Sequence, residues 1–365
     1  MSDTAMDLVY LAVCAVNGKA PERARVESMD LDAVYSAASR HMITSAVAFA
    51  LEAAGYKDSR SAGAIGAAMR KEALFDQAWS AVREQLEKAG IWYMPLKGAV
   101  LKTMYPKYGM REFADHDILI DPARAEDVRA VMEAQGYHIE HFGAGVHDSY
   151  HRQPCLSFEM HRALFGPMHA QNLYDYYKDV ETRLIAGEGF ERRFSPEDFY
   201  LYIVAHENKH FEGGGTGLRS LMDTYLYLKK VPLNMAYVAA EAEKLGIGGF
   251  ERQNRALAEH LFGGEALTEA DQEMLHYILS SGTYGTILHH VQNKTKRNGG
   301  SKLKYVLSRF SVPFSRKNKR YESFAAYYPL FYRHRILLPF LPFYRVCKGI
   351  KKGRVQAEMQ AVRKA

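Results

Sequence analysis

Cysteine is scarce in this chain of 365 residues, and its three positions, Cys14, Cys155 and Cys347, lie far apart. None belongs to a CxxC pair, so the sequence predicts neither a disulfide framework nor a cysteine-ligated zinc site, and it indicates a reducing compartment. Long apolar runs are also lacking. The nearest candidate, residues 336–346, contains two prolines and an arginine, and it falls short of the ~18 to 20 apolar residues that a membrane-spanning helix needs.

Positive charge is missing from the first residues of the chain. Residues 8–16 form an apolar run that follows Asp3 and Asp7, whereas a secretory signal places a positively charged segment before its apolar region. We therefore expect a buried helix there and a cytoplasmic protein. The hydrophobic share of 47% and the charged share of 25% are ordinary for a globular protein, so the disordered and fibrous classes are excluded.

Acidic residues are nearly absent from residues 294–365. This segment holds 19 lysines and arginines against only Glu322 and Glu358, a net charge of +17, although the whole chain carries +6. Aromatic residues lie between the basic ones, which is typical of segments that bind nucleic acid or an anionic membrane surface. The apolar and then cationic order of residues 336–352 favours a membrane surface or an anionic polymer over nucleic acid, and hence a peripheral location at the inner membrane surface. The alternative is a pair of helices that dock on the acidic remainder of the chain.

Four parts of the chain differ in their patterns. Residues 1–88 have apolar side chains near the 3.6-residue period of helices, and residues 89–190 add short runs that are typical of strands. Residues 191–293 return to helical patterns, with a serine, proline and acidic capping sequence near their start. Residues 294–365 are the basic aromatic segment. We predict an α+β fold in which a small mixed β-sheet core is embedded in N- and C-terminal helical segments, with residues 191–293 closing a cleft.

Three acidic residues stand at strand positions in the second part. Asp115 and Asp117 are two apart in an alternating run, so both carboxylates leave the same face of a strand. Such a pair repels itself unless one member is protonated or a cation is bound, and oxygen ligands suit Mg²⁺ or Mn²⁺. A later alternating run offers Glu159, with His161 on the same face. Three carboxylates on neighbouring strands can hold two metal ions; the alternative is a solvated strand with scattered acids.

Basic residues before these strands suit an anionic ligand. Lys97 and Gly98 stand where an apolar strand meets the start of a helix, so backbone N–H groups and one ammonium group face the turn. Arg111, four residues before Asp115, is within reach of a triphosphate. An ordinary solvated turn and a surface ion pair are the alternatives for these two features.

The order of these features resembles a known family. Residues 91–121 read IWYMPLKGAVLKTMYPKYGMREFADHDILID, and residues 156–164 read LSFEMHRAL. An LKG turn, a Tyr-Pro step, an arginine, a D-x-D strand and an acidic-x-His strand in this order resemble an uncharacterised nucleotidyltransferase family of the DNA polymerase β-like nucleotidyltransferase superfamily. The resemblance is dense over residues 91–121 and looser over residues 39–228. Glu159 stands where such families usually have aspartate, and His116 separates the paired aspartates.

The resemblance implies an enzyme that transfers a nucleoside monophosphate from a nucleoside triphosphate to an unknown acceptor, with Mg²⁺ or Mn²⁺ and with release of pyrophosphate. It implies that Asp115, Asp117 and Glu159 bind the metal ions, and that Glu159 favours deprotonation of the acceptor hydroxyl. A nucleotide-binding module without catalysis is the alternative from another class. The residues that the resemblance assigns to the nucleotide are Lys97, Gly98, Arg111 and His161.

A competing motif lies at residues 206–210, which read HENKH, a literal HExxH on a predicted helix. In a zinc metallopeptidase His206 and His210 would bind Zn²⁺, and Glu207 would activate a water molecule. No third histidine follows at the spacing of such enzymes. The alternative is that both histidines, together with Asp223 on the following helix, line the cleft of the nucleotidyltransferase.

Overall fold

The computed structural model contains a five-stranded mixed sheet between helical layers, and 65% of it is helical. The predicted α+β class with helical termini is confirmed. In the described part of the chain, no helix is both long and apolar enough to cross a membrane. The structure describes residues 2–143, 145–166, 171–297, 299–316, 318, 320–351 and 353–364.

Five helices precede the sheet, and their ends follow the capping residues of the sequence. The side chains of Ser2, Asp30 and Asp58 each accept a backbone N–H group at a helix start. Gly18 ends the first helix in the left-handed conformation, which glycine adopts without strain. The helices are α1 (Asp3–Asn17), α2 (Arg23–Glu27), α3 (Leu31–His41), α4 (Thr44–Ala53) and α5 (Ser59–Lys88).

The sheet and two short helices follow. In chain order the elements are β1 (Tyr93–Pro95), α6 (Gly98–Leu101), β2 (His116–Ile120), α7 (Ala125–Ala134), β3 (His138–His141), β4 (His147–Arg152) and β5 (Leu156–His161). The strand order is β1-β2-β5-β4-β3, with β2 parallel to β5 and the other neighbours antiparallel. Sequence patterns predict β1, β2 and β5 but miss β3 and β4, because the histidine-rich residues of these two strands have no regular apolar alternation.

Helices return after the sheet. The hydroxyl of Ser195 accepts the backbone N–H of Asp198, and Pro196 occupies the first helical position, as the capping sequence predicts. The elements are α8 (Gln171–Tyr177), β6 (Ile185–Ala186), β7 (Arg192–Arg193), α9 (Pro196–Gly213), α10 (Leu218–Lys230), α11 (Met235–Lys244), α12 (Gly248–Gly263) and α13 (Glu269–Ser281).

The first helices and the helices after the sheet share one hydrophobic core. Leu11 of α1 and Val47 of α4 are buried together with Leu218 of α10, Leu257 of α12 and Leu275 of α13. The apolar faces of both sets are buried against each other, so these helices form one layer. The predicted helical parts before and after the sheet are therefore joined in space, although they are far apart in the chain.

Alternate side chains of the sheet face two different layers. Ile118 of β2 and Phe158 and Met160 of β5 pack against Phe75 and Val82 of α5. The residues between them in each strand point to the opposite face of the sheet. On that face α9 covers part of the sheet, and the remaining part borders a cavity.

The basic segment consists of short helices around two small cores. Val291 and Tyr305 belong to one core, and Leu338 and Leu341 belong to the other. The boundary predicted at residue 294 falls inside the first of these helices, because this helix continues the preceding bundle. The helices are α14 (Ile287–Arg297), α15 (Lys302–Phe310), α16 (Tyr321–Tyr327), α17 (Pro329–Arg333), α18 (Leu341–Lys351) and α19 (Arg354–Lys364).

Candidate active site

One face of the sheet carries a cluster of carboxyl and imidazole side chains. Asp117 pairs with Glu159 between the parallel strands β2 and β5, and His147 pairs with His161 between the antiparallel strands β4 and β5. Residues paired in register point to the same face of a sheet. Asp115, two residues before Asp117, continues this alternation, and all five side chains line one cavity.

Lys97 is positioned by a strained turn between β1 and α6. Its φ angle is 34°, in a region that residues other than glycine rarely adopt. The backbone N–H of Leu96 donates to the carbonyl oxygen of Asp117 at 2.9 Å, and this bond ties the turn to β2. As a result, the ammonium group of Lys97 lies 3.0 Å from Oδ1 of Asp117.

Gly98 leaves room for the side chain of Arg111. A Cβ atom at Gly98 would lie 2.7 Å from Nη1 of Arg111, which is closer than nonbonded atoms approach. The guanidinium group donates to Asp223 through Nε at 2.8 Å and through Nη2 at 2.7 Å. Tyr105 donates its hydroxyl to the same carboxylate at 2.7 Å. Arg111 therefore lines the cavity, but its charge is balanced by a buried partner.

The carboxyl groups of the cluster differ in pKa because their neighbours differ. Burial, together with the charges of Asp117 and Glu159, raises the pKa of Asp115 to about 6. Burial also acts against ionisation of Asp117, but Lys97 and His161 outweigh it and hold the pKa of Asp117 well below its ordinary value. Burial lowers the pKa of His161, but its hydrogen bonds to Asp117 and Glu159 give a raised pKa as the net result. Added positive charge at this place would favour the ionised carboxylates.

Part of the cluster is compact enough to hold a metal ion. Nε2 of His161 lies 2.9 Å from Oδ1 of Asp117 and 3.5 Å from Oε2 of Glu159. Ligand atoms of His147, Glu159 and His161 all lie within 4.8 Å of one another. Among the residues that the structure describes, the carboxylate of Asp115 has no hydrogen-bond or ion-pair partner. Carboxylate oxygens suit Mg²⁺ and Mn²⁺, whereas imidazole nitrogens are typical ligands of Zn²⁺ and other transition metals.

Helix α9 forms another wall of the cavity, with His206, Lys209 and His210 on one helical face. Nζ of Lys97 donates to Nε2 of His206 at 3.2 Å, and Nε2 of His210 lies 3.2 Å from the same nitrogen. Burial, and then Lys97, lower the pKa of His206 well below its ordinary value, so His206 accepts as a neutral imidazole. Burial and the nearby Lys97 also lower the pKa of Lys209 to about 8.

Glu207, the acid of the HExxH sequence, is held by the neighbouring helices. Its Oε2 accepts from Nδ2 of Asn254 at 3.0 Å and from Oγ1 of Thr224 at 3.4 Å. Across the described residues, no third histidine, cysteine or carboxylate completes a metal site with His206 and His210. The geometry therefore does not support a zinc metallopeptidase. Glu207 is hydrogen-bonded to Asn254 and Thr224, and the described residues supply no third metal ligand beside His206 and His210.

Sequence patterns do not predict a binding role for three residues of the cavity, His147, Lys209 and Arg219. Nη1 of Arg219 donates to the carbonyl oxygen of Glu112 at 2.7 Å, and burial, followed by Arg111, lowers the pKa of Arg219. The helical period offers a signal for Lys209, which shares a face with the two histidines of α9. The position of His147 depends on the pairing of β4, which the sequence does not reveal.

All of these side chains surround one cavity of about 500 Å³, which is within the ordinary range for ligand sites. Acidic and imidazole groups occupy the sheet side, and basic groups come from the turn, from α9 and from α10. The structure brings together every site residue that the sequence and the resemblance predict. These are Lys97, Gly98, Arg111, Asp115, Asp117, Glu159, His161, His206, His210 and Asp223.

Comparison with known protein families gives a match. A family model described as an uncharacterised nucleotidyltransferase matches residues 27–263, which is well over half of the chain and includes all the cavity residues named above. No curated protein matches the chain. No solved structure matches it either.

Proposed function

The chain belongs to this uncharacterised nucleotidyltransferase family, and we propose that it transfers a nucleoside monophosphate from a nucleoside triphosphate to an acceptor, with release of pyrophosphate. The supporting observation is that one cavity joins an acidic cluster, Asp115, Asp117 and Glu159, to several basic groups. A triphosphate and its divalent cations require both kinds of group in one place.

The acidic cluster is the proposed cation site. Asp115, Asp117 and Glu159 would hold Mg²⁺ or Mn²⁺ through their carboxylate oxygens. When bound, these ions polarise the transferred phosphoryl group and stabilise the attacking and leaving oxygens. Lys97 lies between the cluster and α9, 3.0 Å from Asp117 and 3.2 Å from His206, where its ammonium group can contact the donor phosphates.

Two further cations of the cavity are suited to phosphate. Within the described residues, neither Lys209 nor Arg219 has a carboxylate ion-pair partner. Arg219 instead donates to neutral groups, the carbonyl oxygen of Glu112 and the sulfur of Met42. Burying a cation without a counter-charge is costly, and a triphosphate supplies that charge. Arg111 differs from these two cations because its charge is already balanced by the buried carboxylate of Asp223.

The proposed reaction is a displacement at the α-phosphorus of the donor. An acceptor oxygen forms a bond to this phosphorus, and the bond from the phosphorus to the bridging oxygen of pyrophosphate breaks. Glu159 would receive the proton of the acceptor hydroxyl. Its side chain is 26% exposed, against 6% for Asp117, so it faces the open part of the cluster where an acceptor can enter.

The test is pyrophosphate release by the purified full chain with each α-labelled nucleoside triphosphate, in the presence of Mg²⁺ or Mn²⁺ and a cell extract as the source of acceptors. We expect label on one class of acceptor and an equal amount of pyrophosphate. Asp117→Asn should lower the rate by roughly 100-fold or more. Asp127→Asn, at an exposed position of α7, is the matched control and should keep the parental rate.

Calorimetric titration separates catalysis from binding. We expect the chain to bind a triphosphate only with a divalent cation, and Asp117→Asn to weaken this binding. Unchanged binding by the variant would show that the cation site is wrongly assigned. Cation-dependent binding without any pyrophosphate release would identify a nucleotide-binding module instead of an enzyme.

A further inference from the structure

The basic aromatic segment, residues 294–365, lies outside the residues that the nucleotidyltransferase family model matches. We call this segment the tail. The tail holds 19 lysines and arginines but only two acidic residues. We propose that two exposed apolar helix faces of the tail, flanked by its basic residues, dock the protein on an anionic lipid bilayer. This proposal does not depend on the chemistry of the cavity.

The first apolar face lies on α15. Leu303, Leu307 and Phe310 are spaced four and three residues apart, so they share one side of the helix. They are 68%, 60% and 46% exposed, whereas Tyr305 on the other side is 2% exposed and packs in a small core of the tail. Helix α15 is therefore fixed by its tyrosine side and presents its leucine side to the solvent.

The second apolar face includes a 3₁₀ turn and the start of α18. Ile336 and Phe340 of the 3₁₀ turn and Phe343 of α18 are 84%, 62% and 66% exposed. Leu338 and Leu341 point inward and are buried in the other small core. The same division between an anchored side and an exposed apolar side thus occurs twice in the tail.

Hydrogen bonds join the two faces in one folded unit. Nη1 of Arg345 donates to the carbonyl oxygen of Arg309 at 3.1 Å, and Nη2 of Arg335 donates to the carbonyl oxygen of Phe314 at 2.9 Å. Both bonds connect the end of α15 and its following loop to the second face. We name the combined feature the apolar surface of the tail; it consists of Leu303, Leu307, Phe310, Ile336, Phe340 and Phe343.

Most of the basic side chains that the structure describes in the tail have no carboxylate partner. Within the described residues, Arg297 with Glu212 is the ion pair that links the tail to the acidic remainder of the chain, and Arg309 pairs with Glu358 inside the tail. Docking of the tail on that remainder therefore neutralises little of its charge. Exposed basic residues without a carboxylate partner in the described part include Lys302, Lys304, Arg333, Arg335, Lys348 and Lys351.

The side chains of the apolar surface favour lipid over nucleic acid. Nucleic-acid bases stack on aromatic rings, and aliphatic side chains such as Leu303, Leu307 and Ile336 gain nothing from contact with a phosphate backbone. At an anionic bilayer, aliphatic and phenylalanine side chains are buried below the headgroups while lysines and arginines contact the lipid phosphates. An exposed apolar patch with a charged rim is typical of such an interaction site.

The test is co-sedimentation of the full chain with vesicles of phosphatidylcholine and phosphatidylglycerol, compared with vesicles of phosphatidylcholine alone. We expect sedimentation with the anionic vesicles only, and release at high salt because salt screens the charges. Replacing Leu303, Leu307 and Phe310 by serine should weaken binding by about tenfold or more for each side chain. Lys302→Glu with Lys304→Glu should weaken it by about fivefold or more for each charge.

Matched controls come from exposed residues outside the tail. The first control is Ile185→Ser, at a position that is 53% exposed, and the second is Lys57→Glu. Both variant proteins should sediment with the vesicles as the parent protein does. Ile336→Ser with Phe343→Ser probes the second face independently, and it should also weaken binding. All tail variants should keep the parental pyrophosphate release, so that failure of docking and failure of the proposed reaction are distinguished.

Several results would overturn the proposal. These are equal sedimentation with anionic and neutral vesicles, sedimentation that both sets of serine variants leave unchanged, and absence of sedimentation with either vesicle. Binding of single-stranded RNA at the same salt, lost in the same variants while vesicles do not bind, would assign the surface to nucleic acid.

Discussion

Glu207→Gln probes a buried acid in the helical layer beside the cavity. Glu207 is 5% exposed, and among the described residues its Oε1 has no hydrogen-bond partner, while Oε2 accepts from Asn254 and Thr224. Burial raises the pKa of Glu207 to about 8, although the hydrogen bond from Asn254 acts in the opposite direction. At neutral pH the folded protein therefore carries this side chain in its protonated form.

The sign of the effect on stability follows from the two pKa values. Between the ordinary pKa of 4.5 and the raised value of about 8, the folded state keeps a proton that the unfolded state has lost. Folding takes up one proton in this window, so the free energy of unfolding falls as the pH rises, by about 1.4 kcal/mol per pH unit. Below the window the contribution is constant, and above it the stabilisation is lost. The loss between about pH 5 and pH 8 is roughly 3 kcal/mol.

The assay is urea unfolding of the parent and of Glu207→Gln across this pH range. Glutamine keeps an acceptor for Asn254 and remains neutral, so the difference between the two proteins isolates the titration of Glu207. We expect similar stability at about pH 5 and a variant that is more stable by roughly 3 kcal/mol at pH 8. Glu133→Gln, at an exposed position of α7, should follow the parental pH profile. A difference between parent and Glu207→Gln that does not change with pH would refute the reasoning.

Two further substitutions test the turn and its ion pair. Gly98→Ala should lower nucleotidyl transfer by about tenfold or more, because the new Cβ must displace a guanidinium nitrogen only 2.7 Å away; Gly263→Ala, with open space around it, is the control and should keep the rate. Arg111→Met leaves Asp223 buried without its counter-ion and should cost about 3–5 kcal/mol in urea unfolding. Arg129→Met, at a side chain that is 41% exposed, should cost about 1 kcal/mol or less.

Each of these substitutions has an outcome that contradicts its prediction. A parental rate for Gly98→Ala would show that the Arg111 guanidinium group moves aside without effect on the cavity. Unfolding of Arg111→Met at the parental urea concentration would show that its ion pair with Asp223 contributes no net stability.

The acidic cluster could be predicted from the sequence because it follows a short-range rule. A period of two places Asp115 and Asp117 on one strand face, and Glu159 and His161 on another. The family resemblance then predicts that the two strands are neighbours, and the register of Asp117 beside Glu159 shows that they are. The two-residue period of strands and the order of motifs in the resembled family were therefore sufficient to predict that these side chains lie together.

The remaining features depend on contacts that the sequence does not encode locally. His147 joins the cluster only through the pairing of β4 with β5, and its strand has no apolar alternation to reveal it. Leu11 and Leu275 belong to the same hydrophobic core, although they are distant in the chain. No local sequence pattern therefore predicts that the helices before and after the sheet form one layer. Arg111 and Asp223 likewise meet only after the helices pack.

The most direct test of the central claim is anomalous diffraction at the manganese edge, from crystals of the full chain grown with Mn²⁺ and a non-hydrolysable nucleoside triphosphate. We predict a manganese peak about 2 Å from carboxylate oxygens of Asp115, Asp117 and Glu159, with the triphosphate beside Lys97. A peak between His206 and His210, or a bound triphosphate without manganese at the carboxylates, would contradict the account.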